Sequence, residues 1–131
     1  MKQITVITEN RIDNLADICE TLGSANINIE FISAQGLAEA VVVRIIVNDE
    51  ANAVKVLEKR GFKVLKSEII TINVKNRPGE LARIARKLAQ KKVGVHYIYL
   101  ASESPRSGQI IIKPDNFERA LRALKDEDYV V

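Results

Sequence analysis

Ile70-Thr71-Ile72-Asn73-Val74-Lys75-Asn76-Arg77-Pro78-Gly79-Glu80-Leu81 changes its period in the middle. Ile70, Ile72 and Val74 alternate as in a strand, whereas Leu81, Ile84 and Leu88 recur as on one face of a helix. Asn76 to Leu81 is therefore a strand-to-helix elbow. Pro78 has a fixed φ and no N–H, which suits the first position of a helix, where that N–H lacks an intrahelical partner. Gly79 removes a Cβ where free backbone N–H groups face outward, so a carboxylate or phosphate can approach the positive helix end. The elbow is thus a candidate anion pocket; the same Pro-Gly pair is also sufficient simply to shape a tight turn.

The chain repeats this elbow. Subtracting 66 from 76, 77 and 81 gives Asn10, Arg11 and Leu15, and the same offset matches Ile4, Thr5, Ala16, Ile18 and Leu22 to Ile70, Thr71, Ala82, Ile84 and Leu88. Eight identities at one offset, spread over a strand, a loop and a helix, indicate an internal duplication, with one copy over 1–67 and the other over 68–131. Each copy, about 65 residues, is near the lower limit for folding on its own core, so the two are expected to depend on each other.

In the first copy, a strand from Gln3 to Thr8 is followed by an amphipathic helix carrying Leu15, Ile18, Cys19 and Leu22. A strand from Asn28 to Gln35, ended by Gly36, precedes the β-branched run Val41 to Val47. Asn48 or Asp49 caps a helix running to Arg60, and Phe62 to Lys66 closes the copy as a strand. The second copy repeats the order. Its second strand carries Val95, Tyr97 and Tyr99 on one face with His96 opposite, Asp115 caps its second helix, and Tyr129 to Val131 forms the last strand. The order β-α-β-β-α-β predicts an α+β protein of two ferredoxin-like units, each an antiparallel sheet with both helices on one face.

Composition narrows the function. One cysteine, Cys19, allows neither an intramolecular disulfide nor a Cys-based metal site, and it lies on an apolar stripe as a core residue. No apolar run approaches the length of a membrane helix and the start lacks a signal-peptide core, so a cytoplasmic location without membrane contact is expected. The net charge of +3 divides into −1 over residues 1–67 and +4 over 68–131. The first helix carries Asp13, Asp17 and Glu20, and its counterpart Arg83, Arg86, Lys87, Lys91 and Lys92. These are either two solvated faces or a bias towards pairing unlike copies. The only histidine, His96, has no nucleophile or carboxylate at a recognisable spacing, so no catalytic site is expected. The third strands, around Val43 and Ile111, lack the exposed aromatics that RNA stacks on, so no nucleic-acid partner is expected, though Tyr97 and Tyr99 keep that alternative open.

A duplicated β-α-β-β-α-β unit with Asn-Arg-Pro-Gly-x-Leu at its first elbow resembles the ACT domain, a small-molecule sensing module of amino-acid metabolism. The resemblance covers the whole chain and implies units paired side by side through their second strands, with an amino acid bound at the seam. The chain also resembles the serine-sensing domain of phosphoglycerate dehydrogenases. That likeness implies ligand binding by the loop asparagine, here Asn10 and Asn76, and by an asparagine of the partner's second strand, here Asn28. Position 94, equivalent to 28, is glycine, and the first loop reads Arg11-Ile12-Asp13 where the second keeps Arg77-Pro78-Gly79. One complete site is therefore expected, from Asn76, Arg77, Pro78, Gly79, Glu80 and Leu81 with Asn28, while Asn10, Arg11 and Asp13 face Gly94 in a degenerate one. The resemblance implies a free amino acid as ligand, no cofactor, and an enzyme of amino-acid metabolism as partner in trans; the aliphatic sheet faces, which call for a packing partner, point to a homodimer of four ACT units. The alternative is an assembly module without ligand.

Overall fold

The computed structural model describes residues 2–131. The first half contains β1 (Lys2–Glu9), α1 (Asn14–Ser24), β2 (Ile29–Leu37), β3 (Ala40–Val47), α2 (Glu50–Lys59) and β4 (Val64–Glu68). The second contains β5 (Ile70–Lys75), α3 (Glu80–Gln90), β6 (Val95–Ser102), β7 (Ser107–Pro114), α4 (Phe117–Ala123) and β8 (Asp128–Val130). The strands form two four-stranded sheets of the same topology, β2-β3-β1-β4 and β6-β7-β5-β8. The chain divides into two compact units, Lys2–Ser67 and Glu68–Val131.

Each unit has its own core, built by the two periods that meet at the elbow. In the first, Ile4 and Val6 of β1 and Val43 and Ile45 of β3 meet Ile18 and Leu22 of α1 and Ala53 and Leu57 of α2. In the second, Ile70, Ile72, Ile110 and Ile112 meet Ile84, Leu88 and Ala120. Strand residues two apart and helix residues four apart point the same way, so both helices cover one sheet face. Cys19, expected in the core, is only partly buried.

The duplication extends to irregularities. The β2–β3 register shifts between Ile29 and Phe31, and the β6–β7 register between Val95 and Tyr97, which is the same place at an offset of 66. An extra residue there bends the edge strand. In β6 the expected alternation is interrupted at His96 and resumes with Tyr97 and Tyr99, whose rings lie 5.3 Å apart.

Several boundaries differ from expectation. Gly36 does not end β2, because the strand stays paired through Gly36–Val41 to Leu37–Ala40. Asn28 precedes β2; its backbone is held by Asn48, whose Oδ1 accepts from Asn28 N–H (3.1 Å). The α4 cap is Asn116, whose Oδ1 accepts from Arg119 N–H (3.0 Å), and Asp115 instead donates its N–H to Gly94 O (2.9 Å). The offset between the copies is already 67 at the third strands, where Ile45 lies opposite Ile4 and Ile112 opposite Ile70, and it stays so: Asp49 and Asn116 are both caps, and Ala53 and Leu57 match the buried Ala120 and Leu124.

Candidate functional site

The elbow of the second unit is a β-turn followed by a helix. Gly79 has φ 87° and ψ −7°, and Glu80 N–H donates to Arg77 O (3.4 Å). These are the dihedrals of the third residue of a type II turn, with Pro78 in the second place, where its fixed φ fits. Pro78 is therefore not the first helical residue, as its chemistry alone suggested. The helix begins at Glu80, because the left-handed Gly79 must first reverse the chain. A Cβ on Gly79 would meet nothing within 4 Å, so the glycine is required by its φ and the space outside it is open. Gly79→Ala should therefore cost about 1–2 kcal/mol, read as a lower denaturation midpoint for the second unit, from backbone strain and not from a clash.

The first elbow keeps the turn and changes its type. Asn14 N–H donates to Arg11 O (3.2 Å), and Asp13 has φ −86° and ψ −14°, the values of a type I turn. Types I and II differ by a rotation of about 150° of the central peptide. The loss of Pro and Gly thus turns one peptide over. Asp13 caps α1 without a side-chain hydrogen bond, and Ile12 is 96% exposed.

Both loop asparagines bind their own unit. Asn10 Nδ2 donates to Ala38 O (3.1 Å) and Asn76 Nδ2 to Ser104 O (2.9 Å), again 66 apart, and their backbone N–H groups donate to Glu39 O and Arg106 O. Each amide ties the elbow to the hairpin between the unit's second and third strands. At the start of the second strand, Asn28 is exposed. At its counterpart Gly94 a Cβ would lie 2.6 Å from Asp115 Oδ2, the end of an exposed side chain that would have to turn aside.

The sequence reading missed an ion network beside the second elbow. Glu80, 6% exposed, accepts from Arg77 Nε (2.7 Å) and from Arg83 Nη2 (2.8 Å). Arg83 continues to Glu127 (Nη1–Oε2, 2.5 Å), which also accepts from Lys87 Nζ. The hydrogen bonds from Arg83, then Arg77, lower the Glu80 pKa. The Arg83 hydrogen bond, with Lys87 behind it, holds Glu127 at about 2, and Glu127 and Glu80 in turn raise Arg83. Arg83 and Lys87 are thus engaged inside their own unit. The spacing Arg77, Glu80, Arg83 was readable as helix-surface pairs three apart, but Glu127, 44 residues from Arg83, was not.

The first unit has the same bridge with its charges exchanged. Asp17 stands at the place of Arg83 (83 − 66) and Arg60 at that of Glu127 (127 − 67), and they face each other at 3.9 Å. Beside them lies an open depression of about 1030 Å³. Every residue lining the smaller depression of the second unit, about 340 Å³, has its counterpart in the lining of this one.

Two units of the same βαββαβ topology with equivalent elbows define a tandem of ferredoxin-like modules. The ACT domain pair family matches residues 1–130, and the chain belongs to it. It is similar to BT0572 from Bacteroides thetaiotaomicron, at 27% identity over 98% of this chain and 90% of that one, with a TM-score of 0.92. It shares its fold with the regulatory subunit of aspartate kinase from Thermus thermophilus, at 18% identity over 95% and 91% of the two chains and a TM-score of 0.71. The aspartate kinase from Synechocystis matches at 18% identity and a TM-score of 0.63 over 95% of this chain and 24% of that one. No curated protein matches the chain.

Proposed function

We propose that this protein is a regulatory sensor that binds a free amino acid and reports it by changing its association with an enzyme of amino-acid metabolism. The observation that carries the reading is the type II elbow of an ACT pair member, with Gly79 open to solvent at the start of an 11-residue helix. Backbone N–H groups at such an end receive a carboxylate. The ligand would sit where the second unit's elbow meets the start of β2 of a first unit. Asn28, exposed and held through its backbone by Asn48, would accept from the α-ammonium group together with the carbonyl of Asn76, whose NH₂ is already engaged.

The fold shared with a regulatory subunit of aspartate kinase suggests the class of partner, and a homodimer of four units is the assembly in which two such seams would form. The signal requires that one arrangement bind the amino acid more tightly than another. A thermal-shift series with each standard amino acid tests the reading. A ligand at 100 times its dissociation constant adds about 2.7 kcal/mol of stability. The shift should survive in wild type and be lost in Asn28→Ala and Gly79→Asp. No shift with any amino acid would refute the sensor; equal shifts in wild type and both variants would refute the seam.

A further inference from the structure

We propose that the second unit carries an anion site apart from its elbow: a depression against α4 that takes an organic phosphate with two or more phosphate groups, of the nucleoside di- or triphosphate class. The site is contained in the second unit and uses none of the seam residues Asn28, Asn76 or Gly79. It therefore stands or falls independently of the amino-acid sensor.

The depression, about 500 Å³, is lined by Lys91, Arg119, Leu121, Arg122, Lys125 and Tyr129. Four of the six are cations and none is an acid; Glu118 and Asp126, adjacent in sequence, lie outside the lining. Lys91 follows the end of α3, and Arg119 and Arg122 stand three apart on α4, where side chains are neighbours on the helix surface. The fold does not consume these charges. The side chains of Lys91, Arg122 and Lys125 make no hydrogen bond or ion pair among the described residues, and Arg119 uses only Nη1, which donates to Lys92 O (3.4 Å). At the elbow, by contrast, Arg77, Arg83 and Lys87 are all held in ion pairs.

The first unit serves as the control, because it keeps the apolar part of the lining and lacks the charge. Val54 stands for Leu121 and Phe62 for Tyr129 (offset 67), and all four pack against the cores of their own units. Ala25 stands for Lys91 (offset 66), Asn52 for Arg119 and Glu58 for Lys125, and only Arg122 keeps a cationic counterpart, Lys55. Lys55 and Glu58 cancel, so the same positions carry four positive charges in one copy and no net charge in the other. A unit of this topology thus folds without the cations. Like charges around one concavity repel one another and concentrate counter-ions there, and a ligand with several negative charges relieves that repulsion in one step. Phosphate oxygens can accept paired N–H bonds from the two guanidinium groups. Leu121 and the Tyr129 ring give the body of the ligand an apolar surface on which to leave water.

Isothermal titration of the intact protein with ATP, ADP, adenosine and inorganic triphosphate tests the site. ATP and ADP should bind, adenosine should not, and triphosphate should bind about threefold or more weakly than ATP because it lacks the apolar body. Arg119→Gln and Arg122→Gln, both at exposed positions, should each weaken ATP binding by about tenfold or more. Arg86→Gln on α3 and Lys55→Gln in the first unit remove the same charge from exposed positions outside the depression and should leave ATP binding unchanged. Equal weakening by all four variants would reduce the effect to diffuse attraction and overturn the inference. Triphosphate binding as tightly as ATP would mean an adventitious anion only, and would overturn it too. Absence of ATP and ADP binding would do the same, while thermal shifts with amino acids decide the sensor reading separately.

Discussion

Ile72→Ala is expected to lower the stability of the second unit by about 2–5 kcal/mol. Ile72 is fully buried in β5 and lies opposite Ile110 on one side and Tyr129 on the other. Its truncation opens a cavity at the centre of a sheet whose fourth strand, β8, is only three residues long, with little chain to collapse into the space. The two cores share no residue, so the loss should be uneven. Native-state hydrogen exchange should show reduced protection in β5, β7 and α3 and a smaller change in β1 and β3. Equal loss in both units would show instead that the two cores unfold as one cooperative body.

The second large effect is a dependence on pH centred on Glu127. Its folded pKa of about 2 lies below the ordinary value of 4.5, chiefly because of the Arg83 hydrogen bond, so the unfolded chain binds its proton more readily than the folded one. The resulting stability is fully present above pH 4.5 and is lost as the pH falls towards 2. Glu80, shifted in the same direction by Arg83 and Arg77, steepens the fall. With solvent screening of a partly exposed network allowed for, Glu127 should contribute about 2 kcal/mol at neutral pH. Thermal denaturation of Glu127→Gln should show a lower midpoint than wild type at pH 7, and the two curves should converge near pH 2. A constant difference at all pH values would assign the stabilisation to packing.

The fold was legible because the two hydrophobic periods were written twice. Ile70, Ile72 and Val74 could only alternate, Ile84 and Leu88 could only share a helix face, and the copy at Ile4 and Ile18 confirmed the frame. Less legible were features set by backbone dihedrals and by contacts between distant residues. Pro-Gly was consistent with either a helix start or a turn, and only the positive φ of Gly79 distinguishes them. The missing side chain at Gly94 read as the loss of a ligand group; that Asp115 lies beside it is visible only in the folded unit. The helix charges read as solvated faces or as a bias towards pairing unlike copies, because Glu127, the partner of Arg83 and Lys87, lies at the far end of the unit's sequence. The asparagines of the elbows were recognised as special; that both first bind their own hairpins required the folded backbone.

The exchanged polarity of Asp17–Arg60 and Arg83–Glu127 has a consequence for how the chain assembles. A tandem of near-copies can misfold by trading elements, since either first helix carries the apolar spacing to cover either sheet. If α1 settled on the second sheet, Asp17 would meet Glu127; if α3 settled on the first, Arg83 would meet Arg60. Both hybrids bring like charges together, so each helix is sorted to its own half of the molecule. The duplication thus carries its own guard against scrambled partners, and an Asp17→Arg, Arg60→Glu double substitution, which restores a bridge while erasing the distinction, should fold to the same structure but refold with a larger misassembled fraction.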